Sequence, residues 1–195
     1  MVPMLFTPAR FADERGWFTE SYNARKFKTI GLDVDFLQDN QSLSRQVGTI
    51  RGLHFQAPPF AQGKLVRVLK GRILDVAVDI RKGSPTYGKY VEAELSSENG
   101  AQLYVPVGYA HGFVTREPDT EVLYKVTDFY DKDSEGGLIW NDPTIGIDWG
   151  LGVTEPVLSA KDVILGGLDG FDTPFHYDGL PMKLKVVEKL WPACF

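Results

Sequence analysis

Between Gly63 and Tyr130 the chain is a succession of short runs rich in β-branched and aromatic residues, each closed by a cluster of turn residues. The runs are KLVRVLKG, RILDVAVDI, GKYVEAELS, AQLYVPVG, HGFVTREP and EVLYKVTDFY; LKGR, RKGSPTYG, SSENG, PVGYAHG and EPDT separate them. Gly, Pro, Asn and Asp at the breaks supply tight turns, so the runs read as strands and their spacing predicts an all-β sandwich or barrel. In RILDVAVDI the apolar Leu74, Val76, Val78 and Ile80 alternate with Asp75, Ala77, Asp79 and Arg81, which gives that strand one apolar and one charged face. The charged face must meet water or a polar cavity. Helical signals are peripheral, in NARKFKTIG after Tyr22 and in LPMKLKVVEKL near the C-terminus.

The 195 residues, 43% of them hydrophobic and 24% charged, suffice for one sizeable core. No composition shift splits them, so residues 1–195 read as a single domain, with 163–195 (GGLDG, FDTP, YDGLP) an irregular extension lying on it. A net charge of -5 without any basic run argues against nucleic acid as a partner, although a local arginine cluster can still hold a small anion. Cys194 is the only cysteine, which excludes an intrachain disulfide, and a lone thiol beside the C-terminus is expected to be inert. MVPMLFTPARFADERG lacks the apolar core of a signal peptide, and no apolar run reaches the roughly 18 residues of a membrane span. The expected location is the cytoplasm.

The stretch RGLHFQAPPFAQGKLV, residues 51–66, sets Arg51, His54, Gln56 and Lys64 among the core-type residues Leu53, Phe55, Leu65 and Val66. Taken singly, each polar group has a bland explanation: a hydrogen-bonded core histidine, a solvated turn lysine, a surface arginine, a packing tyrosine. Jointly, a histidine, a lysine, a tyrosine and an aspartate around a barrel cavity are what proton abstraction beside a carbonyl requires. His54 takes the proton, a cation or donor holds the enolate oxygen, and an acid returns a proton from the other side. Asp162 in LSAKD is the candidate to orient the base. Tyr124 and Tyr130 lie six apart along the strand EVLYKVTDFY, which puts both phenols on one face, and His111 follows the turn of PVGYAHGF. One conflict stands out: Arg51 and His54 have opposite parity, so a regular strand would send them to opposite faces; a bulge at Gly52 between them would correct this.

Pro106, Gly108 and His111 form the P-x-G-x-x-H pattern of the second cupin motif, and the region of His54 resembles the first. A metal-binding cupin needs H-x-H and a following glutamate, whereas this chain has His54-Phe55-Gln56, so no metal is expected. Across Phe11 to Asp162 the segments DERGWFTESYN, FLQDNQS, RGLHFQ, QGKLVRV, DVAVDIRKGSPTYG, VPVGYAHGF, EVLYK, SEGGLIWNDP and LSAKD together resemble the dTDP-4-dehydrorhamnose 3,5-epimerases, metal-free cupin-fold enzymes of nucleotide-sugar biosynthesis.

The resemblance implies a cupin-type double-stranded β-helix, a jelly-roll barrel with short peripheral helices. It makes His54 the general base, paired with Asp162, and Tyr124 the general acid, with Lys64 near the C4 carbonyl. It places His111 in the substrate pocket, and it makes Arg15, Phe18, Glu20, Gln38, Asp39, Asn40, Arg51, Glu135 and Lys161 substrate contacts, Arg51 toward the diphosphate; with Tyr124 as the acid, the ring of Tyr130 is left to lie against the nucleotide or to pack at the cavity mouth. Arg15, Phe18 and Glu20 would reach the neighbouring subunit's site, so the implied unit is a homodimer with exchanged N-terminal strands. The implied reaction inverts C3 and C5 of dTDP-4-dehydro-6-deoxy-D-glucose, giving dTDP-4-dehydro-L-rhamnose. It needs no cofactor, because moving a proton changes no oxidation state. The rival readings are a C3-only or C5-only epimerase of a related nucleotide sugar, and a non-catalytic cupin that only binds one.

Overall fold

A computed structural model of the chain describes residues 1–190; Cys194 lies outside them. In chain order the strands are β1 (Met4–Pro8), β2 (Phe11–Asp13), β3 (Gly16–Phe18), β4 (Gln38–Ser44), β5 (Ile50–Gln56), β6 (Lys64–Lys70) and β7 (Arg72–Asp79). They continue with β8 (Tyr90–Ser96), β9 (Gln102–Val105), β10 (Tyr109–Thr115), β11 (Thr120–Val126), β12 (Glu135–Gly137) and β13 (Lys185–Leu190). Two short helices, α1 (Ala24–Thr29) and α2 (Ala160–Val163), lie outside the sheets. Strands β6 to β11 each correspond to one of the six runs read from the sequence, although β10 begins at Tyr109, inside the PVGYAHG break, and β11 stops at Val126.

The strands form a six-stranded sheet in the order β13-β1-β9-β6-β11-β4, a five-stranded sheet in the order β12-β5-β10-β7-β8, and a separate β2-β3 hairpin. The two large sheets pack as the expected cupin jelly roll. Between them lies an apolar cluster that includes Val66, Ile73, Leu95, Leu103, Phe113 and Val122. The outer face of the five-stranded sheet carries a second cluster, where Leu53, Phe55, Val76, Val78 and Ile80 meet Leu138, Trp149 and Phe175 from the later part of the chain. A third cluster joins Met4, Phe6 and Leu65 to Phe27 of α1. Complete burial of each such side chain contributes about 1.5–3 kcal/mol.

This layering explains β7. Its apolar members face outward under the covering segment, while Asp75 and Asp79 share the inward parity of Ile73 and Ala77 and are fully buried. Inside the barrel Asp79 binds Arg81, with Nε and Nη2 donating at 2.8 Å. The charged face therefore meets polar partners in the interior rather than solvent.

Two expectations change. LPMKLKVVEKL holds no helix: its Lys185–Leu190 portion is β13, which pairs parallel with β1 at the sheet edge, so 163–195 is not wholly irregular. EVLYKVTDFY is not one strand either, because β11 ends at Val126. No helix among the described residues is long and apolar enough to cross a membrane.

Candidate active site

The parity conflict between Arg51 and His54 is resolved by a bulge in β5. His54 pairs with His111 and Arg51 with Phe113, so three steps on β5 match two on β10. The extra residue reverses the alternation, and both side chains line one cavity. Gly52 makes the bulge possible: its φ is +122°, and a Cβ there would stand 2.6 Å from both the Gly112 Cα and the His111 carbonyl oxygen.

The cavity, about 490 Å³, is also lined by Lys64 at the start of β6, His111 on β10, Tyr124 on β11, and Ser159, Lys161 and Asp162 at α2. His54 Nε2 lies 2.6 Å from Asp162 Oδ1. An ionised carboxylate only accepts, so Nε2 carries the proton and the neutral ring keeps its lone pair on Nδ1. Burial acts against the Asp162 carboxylate, but hydrogen bonds from His54 and Ser159 outweigh it and hold the group below its ordinary range. His111 repeats the arrangement, with Nε2 at 2.7 Å from Asp75 Oδ1.

Lys64 donates from Nζ to the His54 carbonyl at 3.3 Å. Burial pushes its ammonium down to about 8, against the opposing pull of Asp75 and Glu135. The Tyr124 phenol is pushed up by burial and by Glu135, with Arg51 opposing, so it stays protonated and able to donate near neutrality. Arg51 is held by Ser44 Oγ and the Leu43 carbonyl, both at 3.1 Å, and makes no ion pair among the described residues. Its charge is free to meet an anion. Glu135 on β12 forms an ion pair with Lys161 and accepts from the Tyr130 hydroxyl at 3.1 Å. Burial opposes ionisation of Glu135, yet Lys161 holds its carboxyl below the usual range.

Other expected site residues are placed differently. Gln38 and Asn40 share the side of Tyr124 on the β4–β11 ladder, but Asp39 has the opposite parity and binds Lys125 at 2.9 Å. It faces out of the barrel. Tyr130 lies on the loop after β11, exposed, and does not share a strand face with Tyr124. That loop is pinned by the buried Gln56, which donates to the Phe129 carbonyl and accepts from the Asp131 N–H. Arg15, Phe18 and Glu20 line no part of the cavity: Arg15 binds Asp13, Glu20 binds Lys26, and the Phe18 side chain stands exposed on the hairpin.

Nothing in the sequence pattern assigns a site role to Asp75 or Ser159. Asp75 was signalled only by sitting on the charged face of β7. Ser159 stands three residues before Asp162, the spacing of a capping box.

The family profile described as dTDP-4-dehydrorhamnose 3,5-epimerase matches residues 3–169. The chain belongs to that family. It is thereby an isomerase, related to the epimerase of that name from Sinorhizobium fredii by 54% identity over 173 residues, 89% of this chain and 88% of the relative. Among solved structures of the family, one from Bacillus anthracis with TDP and PPi bound superposes with a TM-score of 0.80 at 51% identity, covering 83% of this chain and 91% of its own. Another, from Legionella pneumophila in complex with dTDP-4-keto-L-rhamnose, gives 0.84 at 43% identity, covering 89% and 92%.

Proposed function

We propose that the chain inverts C3 and C5 of dTDP-4-dehydro-6-deoxy-D-glucose through enolate intermediates, with His54 as base and Tyr124 as acid. One observation carries this reading. His54 stands on the five-stranded sheet and Tyr124 on the six-stranded sheet, yet both line one cavity. A proton can leave one face of a sugar ring toward one wall and be replaced on the other face from the opposite wall, which is the requirement for inversion.

The C4 ketone acidifies the protons on C3 and C5. Nδ1 of His54 removes one, while Asp162 steadies the imidazolium that forms. Negative charge moves to the C4 oxygen, where the Lys64 ammonium is the available stabiliser. Tyr124 then protonates the carbon from the far side; once His54 has released its proton to water and the Tyr124 phenolate has regained one, the cycle repeats at the second carbon. Arg51 and Lys161 supply the positive charge that a diphosphate needs. Because only protons move, no redox cofactor is required.

We further propose a homodimer in which the β2-β3 hairpin crosses to the neighbouring copy. Trp17 and Phe18 are 54% and 61% exposed on it, an apolar surface that a second chain would cover and that would carry Arg15 and Glu20 to the partner's cavity.

The test couples the purified protein to a downstream reductase and NADPH and looks for dTDP-L-rhamnose. His54→Ala should lower turnover by about 10³-fold or more, near the upper end for a general base, with folding intact. A folded variant that keeps more than about a tenth of the rate would refute the assignment.

A further inference from the structure

The His54–Asp162 pair depends on α2, and α2 is a single turn of four residues. So short a helix cannot orient a side chain by its own propensity. It is tied to the barrel just upstream, where Val157 N–H donates to the Gly48 carbonyl at 2.9 Å and Ile50 N–H donates to the Val157 carbonyl at 3.0 Å. Between that tie and Asp162 stands Ser159, the residue that caps α2. Its hydroxyl donates to Asp162 Oδ2 at 2.8 Å and accepts from the Asp162 N–H at 3.2 Å. The other carboxylate oxygen, Oδ1, receives His54. Asp162 is only 2% exposed, so water does not replace a lost partner easily.

From this geometry we infer that Ser159 is a positioning residue for the reaction: it fixes the torsion of the Asp162 carboxylate and, through it, the tautomer and orientation of the His54 ring. The inference deepens the reading of His54 as base. An ordinary helix cap holds backbone alone, and its loss loosens a turn. Here the same hydroxyl also holds the carboxylate that holds the base, so its loss frees the carboxylate torsion and the turn together. Ser159 lines the cavity, but its one proton is committed to Asp162, which distinguishes it from a substrate-binding hydroxyl.

Two measurements test this on the full-length protein. Proton NMR reads the ring N–H that His54 shares with Asp162, a downfield resonance assigned by its disappearance in His54→Asn, which separates it from the His111–Asp75 proton. It should be present in wild type and in Ser159→Thr, whose hydroxyl can make the same bonds, and should be lost or broadened by exchange in Ser159→Ala. Steady-state kinetics should show kcat about 10-fold lower in Ser159→Ala with KM within about twofold, and recovery in Ser159→Thr; effects of this size are ordinary for groups that orient a catalytic residue. An unchanged resonance in Ser159→Ala overturns the inference, as does a rise in KM at unchanged kcat, which would make Ser159 a substrate contact. Should the wild-type protein turn over no 4-keto sugar nucleotide, the proposed reaction fails, while the resonance still decides whether Ser159 holds Asp162 and His54.

Discussion

Replacing Gly52 by alanine perturbs the point on which the cavity depends. At φ +122° an L side chain is strained, at a cost of about 1–3 kcal/mol. The new Cβ would stand 2.6 Å from the Gly112 Cα and the His111 carbonyl oxygen, about 1 Å inside the ~3.5–4 Å of good contact. Both neighbours are backbone on β10 and cannot rotate away. Overpacking of this kind adds about 1–3 kcal/mol. With a total near 4 kcal/mol and roughly 2–4 °C per kcal/mol for a chain of this length, Tm should fall by about 8–16 °C. Relief requires β5 to shift from β10, which moves His54 against His111, and a displacement of about 1 Å costs on the order of 10²-fold in rate. The assay is a thermal melt followed by circular dichroism, with turnover measured below the transition. Gly166→Ala is the control, since nothing lies within 4 Å of its added Cβ. Gly52→Ala with Tm within about 2 °C of wild type and undiminished turnover would refute the bulge as the device that brings Arg51 and His54 together.

Lys64 stabilises an oxyanion only while protonated, so with its ammonium at about 8 turnover should fall as pH rises through that value. Asp75 favours the charged lysine, so Asp75→Asn should move this alkaline limb to lower pH, read from kcat against pH. Arg81→Ala should leave the buried Asp79 with only hydroxyl and backbone partners, at a cost of about 3–5 kcal/mol, seen as a lower urea midpoint. Because Arg81 lines no part of the catalytic cavity, the folded fraction should keep its kcat.

The barrel was legible because its strands are short, punctuated and alternating, and the β5 bulge because a parity conflict with glycine between has few other solutions. β13 was misread as a helix because Lys and Glu in KVVEKL favour helix locally. Its pairing with β1, some 180 residues away in sequence, is invisible to local pattern, and Lys185 suits the sheet edge it occupies. Tyr130 is misplaced by local pattern because the aromatics Phe129 and Tyr130 resume after a gap of only two residues past Val126. What ends the ladder there is Asp128, which accepts from the Phe129 N–H, together with the grip of Gln56 on the loop. Asp39 could have been set apart from Gln38 and Asn40 by parity alone. The hairpin residues Arg15 and Phe18 are a different case, since both side chains stand exposed and the pattern of one chain does not say what a neighbouring copy would cover.

The most direct measurement follows the substrate ring protons. In heavy water, dTDP-4-dehydro-6-deoxy-D-glucose incubated with the protein is observed by proton NMR, without reductase. Two inversions through one base and one acid predict loss of both the C3 and the C5 proton signals and appearance of the L-configured 4-keto sugar. In Tyr124→Phe, exchange should outlast inversion, because the base still abstracts while the far-side donor is gone. Exchange at one carbon only would make the protein a C3-only or C5-only epimerase, and no exchange at either would contradict enolate chemistry in this cavity altogether.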